Sequence, residues 1–335
     1  MGKLKNALRQ ASPNLYAGLI GLRRGPVVRA IAGFHQRRRM QTLVRSGIPF
    51  SMDISARMGL GAVFASLVAL HHHFENAPGL RKIVSSNPLY LEEGQPGDVL
   101  DLFLDRLYPH APAGYEDQRE LPLIPFTSDY DISLKPLSRG LRIQRAHELF
   151  NRHYRVKRIF LDEAESFCAA NFSQAIGVHF RGSDKRIEAP VVAWEAIAKA
   201  LDERLDAAGQ DNGGAKEIGA KKIFVASDET DFIEFIRRRY GADRMCALDC
   251  QFVADGLTPA HFQPGSGLAK GREALLTMLI LARCSVVIRG ASFLSGWAKV
   301  LNPGLPIVML GKPYGREVFP EVEIMEESAA AHRIG

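Results

Sequence analysis

From about residue 174 onward, short apolar runs alternate with amphipathic stretches. The run Ala175-Ile176-Gly177-Val178 is bounded by polar residues and predicts a buried strand over 175–181. A helical pattern follows over 191–205, then a Gly/Asp/Asn-rich stretch at 207–220 that reads as an exposed loop. KIFVAS at 222–227 predicts the next strand and 230–240 the next helix. The remaining signals are helices over 271–283 and 293–301 and strands over 285–289 and 306–310. Strand–helix alternation of this kind predicts a parallel sheet with right-handed crossovers. The fold class is therefore α/β, with a Rossmann-like domain over 173–315 and a short tail at 316–335.

The first half is less regular. Arg57-Met58-Gly59-Leu60-Gly61 forms a Gly loop leading into an apolar, helix-like run over 62–74. Such a loop lets backbone N–H groups approach a ligand closely, although tight strand-to-helix turns use glycine in the same way. A strand is expected over 80–87, a helix over 97–108, a proline-rich loop over 109–136 and mostly helix over 137–172. These make a separate domain over 52–172. His71, His72 and His73 are consecutive, so a helix points them in different directions, as surface and edge residues. Before that domain lies an arm, 1–51, in which Val27, Ile31 and Phe34 fall at helical spacing among arginines.

Charge changes this picture. The chain of 335 residues carries a net +6, but residues 1–50 hold ten Lys/Arg and no Asp or Glu. The other 285 residues balance 33 basic against 37 acidic side chains. A mildly acidic body argues against a nucleic-acid partner. The arm suits peripheral contact with an anionic membrane, or a solvated helix packed on the body. No apolar run approaches the ~20 residues that cross a bilayer, and residues 15–22 lack a cleavage pattern. The expected compartment is the cytoplasm, with the arm at the inner membrane face. Cys246 and Cys250 are spaced C-x-x-x-C without a second pair, so these cysteines and Cys168 and Cys284 read as reduced thiols rather than zinc ligands.

Candidate chemistry collects at strand ends, where open α/β sheets bind ligands. His179, Arg181, Asp184 and Lys185 follow the first strand of the alternating region. Arg181 can grip phosphate oxygens bidentately, and Asp184 can orient a cation or take a proton. Ser227 and Asp228 end the next strand, with Asp228 more simply read as a helix N-cap than as a ligand group. Ser292 and Ser295 open a helix after SVVIRG, where hydroxyls and N–H groups bind phosphate, and Ser292 is also a natural N-cap. An Arg clamp facing a Ser-bearing helix start makes a diphosphate site. Asp129-Tyr130-Asp131 could hold a divalent metal, but it lies in a polar loop without a preceding apolar strand, so no metal is assigned.

Three segments resemble the peptide motifs of the α1,2/α1,6/protein-O-fucosyltransferase superfamily. Ile176-Gly177-Val178-His179-Phe180-Arg181 with Asp184-Lys185 is similar to the first, and 222–228 to the second. The third, 273–289, is closest to the rhizobial nodulation members. The resemblance covers about 55–312 and implies a GT-B-like architecture, two Rossmann-like domains with a cleft between them. It implies metal-independent, inverting transfer of fucose from GDP-fucose, without a cofactor, to a glycan or glycolipid oligosaccharide, with an α1,6 link to N-acetylglucosamine as the first guess. By position, Arg181 would hold the β-phosphate beside His179, and Ser292 would add a phosphate contact. Glu188 resembles the base of the α1,6 members at a spacing one residue shorter, and Asp184 is the other candidate base. Two positions depart. Thr277 stands where many members have an Asp that helps bind the nucleotide, and Gly182 stands where several α1,6 members have a second Arg. Transfer from another GDP-sugar, or nucleotide or glycan binding without transfer, are the alternatives these departures leave.

Overall fold

The computed structural model describes the chain from Gly47 onward except residues 78, 93–96, 108–122, 126–133, 183–191, 211–221, 251–258, 312–317 and 335, together with part of 31–46. Two parallel sheets organise it. The larger contains β6 (Ala175–Phe180), β7 (Lys222–Ser227), β8 (Met245–Cys246), β9 (Val286–Arg289) and β10 (Ile307–Met309), in spatial order β10-β9-β6-β7-β8. Every neighbouring pair in it is parallel. Helices α5 (Trp194–Gln210), α6 (Thr230–Tyr240), α7 (Gly267–Leu281) and α8 (Phe293–Leu301) supply its crossovers. The smaller sheet has order β2-β1-β4, again parallel, from β1 (Phe50–Asp53), β2 (Leu80–Val84) and β4 (Leu123–Pro125). The α/β layout with a parallel sheet expected from the alternation is the one observed, and a second, smaller parallel sheet lies in the first half of the chain.

Period-two burial builds the larger sheet. Ile176, Val178, Ile223 and Val225 face one core with Ile197, Leu201, Phe232 and Ile236. Ala175, Phe224 and Ala226 face the other. A Cβ on Gly177 would stand 2.9 Å from Leu281 Cδ2 and 3.0 Å from Val287 Cγ2, so glycine lets α7 lie close on β6. The second core continues without interruption into the first half of the chain. There α1 (Leu60–His73), nearly all buried, packs between the sheets, against α3 (Ile143–His153) and α8. Phe64, Phe150 and Trp297 meet ring to ring at 5.4–6.1 Å across this junction.

Several expectations give way. β1 starts at Phe50, inside the stretch assigned to the arm, and is the central strand of its sheet. The helix expected over 97–108 is only α2 (Val99–Phe103), after which β3 (Leu104–Arg106) pairs antiparallel with β5 (Tyr154–Val156). Arg106 turns back to Asp101 Oδ1 at 2.8 Å and Ile83 O at 2.8 Å, holding that segment extended. β5 splits the helical stretch into α3 and α4 (Arg158–Asn171), because Tyr154 and Val156 are buried and Arg155 is exposed. β4 lies within the proline-rich loop. The tail contains α9 (Glu321–Ile334), which is held to the body by Glu321 on Arg289 and by Glu323 on Arg142.

Candidate functional site

In the larger sheet the strand order reverses between β6 and β9. Crevices at such a switch point, beyond the carboxyl ends of the strands, are where open α/β sheets take ligands. A cavity of about 480 Å³ opens there, and His179, Arg181, Asp228, Thr277 and Ser292 all line it, as does the Gly loop at 57–61.

His179 points from β6 toward α8, where its Nδ1 lies 2.9 Å from Ser295 Oγ; both side chains are buried. Arg181 is the first residue past β6, and its Nε stands 3.9 Å from Asp228 Oδ2 at the end of β7. Capping does not account for Asp228. Glu229 holds the N-cap position of α6, without a side-chain capping bond. The Asp228 carboxylate instead sets the side on which Arg181 rests. Gly182 leaves the strand beside Glu229, whose Oε1 would come within 2.0 Å of a Cβ there. A side chain at this position would first have to displace the Glu229 carboxylate, the end of a flexible side chain.

Ser292 occupies the N-cap position of α8 but makes no side-chain capping bond. Its Oγ is buried with no hydrogen-bond partner among the described residues. A buried, unbonded hydroxyl is costly and calls for an explanation, and a ligand oxygen in the cavity would supply one. The start of α1 arrives at the same place. A Cβ on Gly61 would lie 2.7 Å from the backbone C and O of Phe293, so Gly61 serves helix contact, whereas Gly59 has open space around it at the cavity wall. Two helix N-termini, each with partial positive charge, therefore bound the cavity beside Arg181.

One face of α7 also lines the cavity, with Lys270, Glu273, Ala274 and Thr277 at helical spacing. Thr277 is buried and its Oγ1 donates to Glu273 O at 2.8 Å, so its proton is committed and only lone pairs remain for a ligand. Burial, then the Arg57 charge, holds the Lys270 ammonium below the usual lysine range, against the pull of Glu92. Burial, then Glu273 and Asp249, pushes the Cys250 thiol up to about 12, which makes it an inert wall group. Burial also pushes the Tyr90 phenol far up, although the Leu60 backbone and Arg181 draw it down.

The structure thus brings together His179, Arg181, Asp228, Thr277, Ser292 and Ser295. Asp184, Lys185 and Glu188 lie outside the described residues, as do Asp129 and Asp131. Among the described residues no group of three or more His, Cys, Asp or Glu is placed to hold a metal. All four cysteines are free thiols. Sequence reasoning missed Tyr90, Lys270 and Glu273; the last two share the helical period of Thr277, which is the signal that could have found them.

No family model matches the chain, and no curated protein matches it. Solved structures are similar to it. One is the fucosyltransferase NodZ from Bradyrhizobium, at 17% identity over 76% of this chain and 94% of that one, with TM-score 0.46. Another is a mutant of Arabidopsis thaliana FUT1 in complex with GDP, at 15% identity over 83% and 74%, with TM-score 0.46. A third is POFUT1 in complex with GDP, at 11% identity over 79% and 98%, with TM-score 0.41.

Proposed function

We propose that this chain is a glycosyltransferase that moves fucose from GDP-fucose to a hydroxyl of a glycan or glycolipid oligosaccharide, with inversion and without a metal. The observation that carries the reading is the convergence of Arg181 and two helix starts, with Ser292 at one of them, on a single cavity at the switch point of the larger sheet. A guanidinium, a hydroxyl and two helix N-termini around one cavity suit a diphosphate without a divalent ion. The motif resemblance supplies the rest: the guanine nucleotide, the fucose and the α1,6 link to N-acetylglucosamine.

The acceptor oxygen attacks the anomeric carbon while the bond from that carbon to the β-phosphate oxygen breaks. The bonding pair leaves on the phosphate, and Arg181 meets the charge that grows there, which favours the transition state over the bound donor. Asp228 orients Arg181, and Ser295 holds the His179 ring. The acceptor proton goes to a carboxylate, for which Asp184 and Glu188 are the candidates, and Lys185 adds positive charge to the same segment. Ile31 and Phe34 are 54% and 56% exposed, between basic residues. This supports an arm that meets an anionic membrane, at the inner face, where a lipid-linked acceptor would be held.

Thr277, whose proton is committed to Glu273 O, favours a second reading in which the donor is another GDP-sugar or transfer is absent. The test is calorimetric titration with GDP, with UDP as control and EDTA present, followed by turnover of GDP-fucose against GDP-mannose. GDP is expected to bind without metal, and Arg181→Ala is expected to keep the fold and lose about a thousandfold in transfer. Normal turnover in that variant would refute the mechanism, and GDP binding without release of either sugar would leave the silent binder.

A further inference from the structure

We infer that Glu321, at the start of the C-terminal helix α9, is a positioning residue for the phosphate-facing turn between β9 and α8. The inference rests on the diphosphate reading above. Arg289 ends β9 and is fully buried. Its Nη2 lies 2.5 Å from Glu321 Oε1 and donates to Ser292 O at 2.7 Å, and its Nε donates to Gly290 O at 2.8 Å. The same Glu321 oxygen accepts the Ser292 N–H at 3.2 Å. One buried ion pair therefore grips Ser292 by both its N–H and its C=O. The hydroxyl is the polar group of Ser292 that this grip leaves over, and Ser292 lines the cavity.

Glu321 reaches the turn from 29 residues beyond Ser292 in sequence, and the packing makes room for it. A Cβ on Gly296 would stand 2.9 Å from Pro320 Cγ and 3.1 Å from Glu321 Oε1. The pair is electrically neutral as a unit. It can fix the turn without cancelling the positive field of Arg181 and the helix ends. Arg289 Nη1 and Glu321 Oε2 are buried with no hydrogen-bond partner among the described residues. A pair selected for stability alone would be expected to use those atoms, since buried polar networks that are only partly satisfied are costly.

The test is GDP titration of the full chain and of Glu321→Asp, which keeps the charge opposite Arg289 but withdraws the carboxylate by one methylene. Arg289→Lys tests the clamp from the other side and replaces it should Glu321→Asp not fold. Glu321→Asp is expected to lower GDP affinity about tenfold, the worth of one charged hydrogen bond. Combined with Ser292→Ala, it is expected to add no further loss, because both act through one hydroxyl. Combined with Thr277→Val on α7, outside the clamp, the two losses are expected to multiply. Unchanged GDP affinity in a folded Glu321→Asp, or losses that multiply with Ser292→Ala, would overturn the inference while the diphosphate reading stood. A parent protein that binds neither GDP nor pyrophosphate would remove that reading, and the inference with it.

Discussion

Ser292 separates stability from binding. Its hydroxyl is buried and unbonded, and its N-cap position gains no side-chain bond. Ser292→Ala should therefore leave the melting temperature unchanged or raise it, whereas losing a working N-cap would cost about 1 kcal/mol. GDP affinity should fall about tenfold, as calorimetry would read. His71 makes a second case, away from the cavity. Its ring stacks on His153 at 4.1 Å, and its Nε2 lies 3.0 Å from Tyr154 Oη. Burial, then His153 and Arg106, lowers its pKa to about 3, against 6.5 in the unfolded chain. The folded state therefore binds fewer protons than the unfolded one below pH 6.5, so this stability is complete above 6.5 and drains away toward 3. Urea midpoints should fall between pH 7 and 4.5, and fall less in His71→Phe. His179, Arg181 and Ser292 were legible because a buried run followed at once by ionisable groups, or by Ser at a helix start, is a local signal. Glu321 was not, since its partner Arg289 lies 32 residues away and nothing local marks either as paired.

The helices and strands of the alternating region were legible almost throughout, because each buries a face with a clear period. The first half was not. β3 and β5 are three residues each, too short for alternation to stand out against the helical pattern around them. β1 was lost because its four buried residues, FSMD, include two polar ones. The Gly loop divides into two functions that its spacing alone cannot separate. Gly61→Ala would press a methyl into the backbone of α8 and should cost about 1–3 kcal/mol. Gly59→Ala meets no atom within 4 Å and should cost under about 1 kcal/mol. Urea unfolding of the two variants compares them directly, and equal losses would contradict the helix contact.

For the molecule as a whole, the boundary of the arm is decided by β1. Phe50 N–H donates to Gly79 O at 2.8 Å, and Phe50, Ser51, Met52 and Asp53 are buried at the centre of their sheet. Removing residues 1–46 should leave GDP binding and the melting temperature in place, while removing 1–53 should give insoluble protein. Soluble, GDP-binding protein from the longer deletion would contradict the assignment of β1 as the central strand. The two sheets suggest two modules, yet the core between them is continuous, and Trp297 of one half sits against Phe64 and Phe150 of the other. The halves are two in topology and one in folding. Neither half could be expressed alone or exchanged for that of a relative without exposing this aromatic joint, and a nucleotide bound at β6 and β9 should raise a single melting transition for the whole chain rather than one of two. Variation in what the protein accepts would then arise in the loops around the cavity, because the scaffold cannot be inherited in parts.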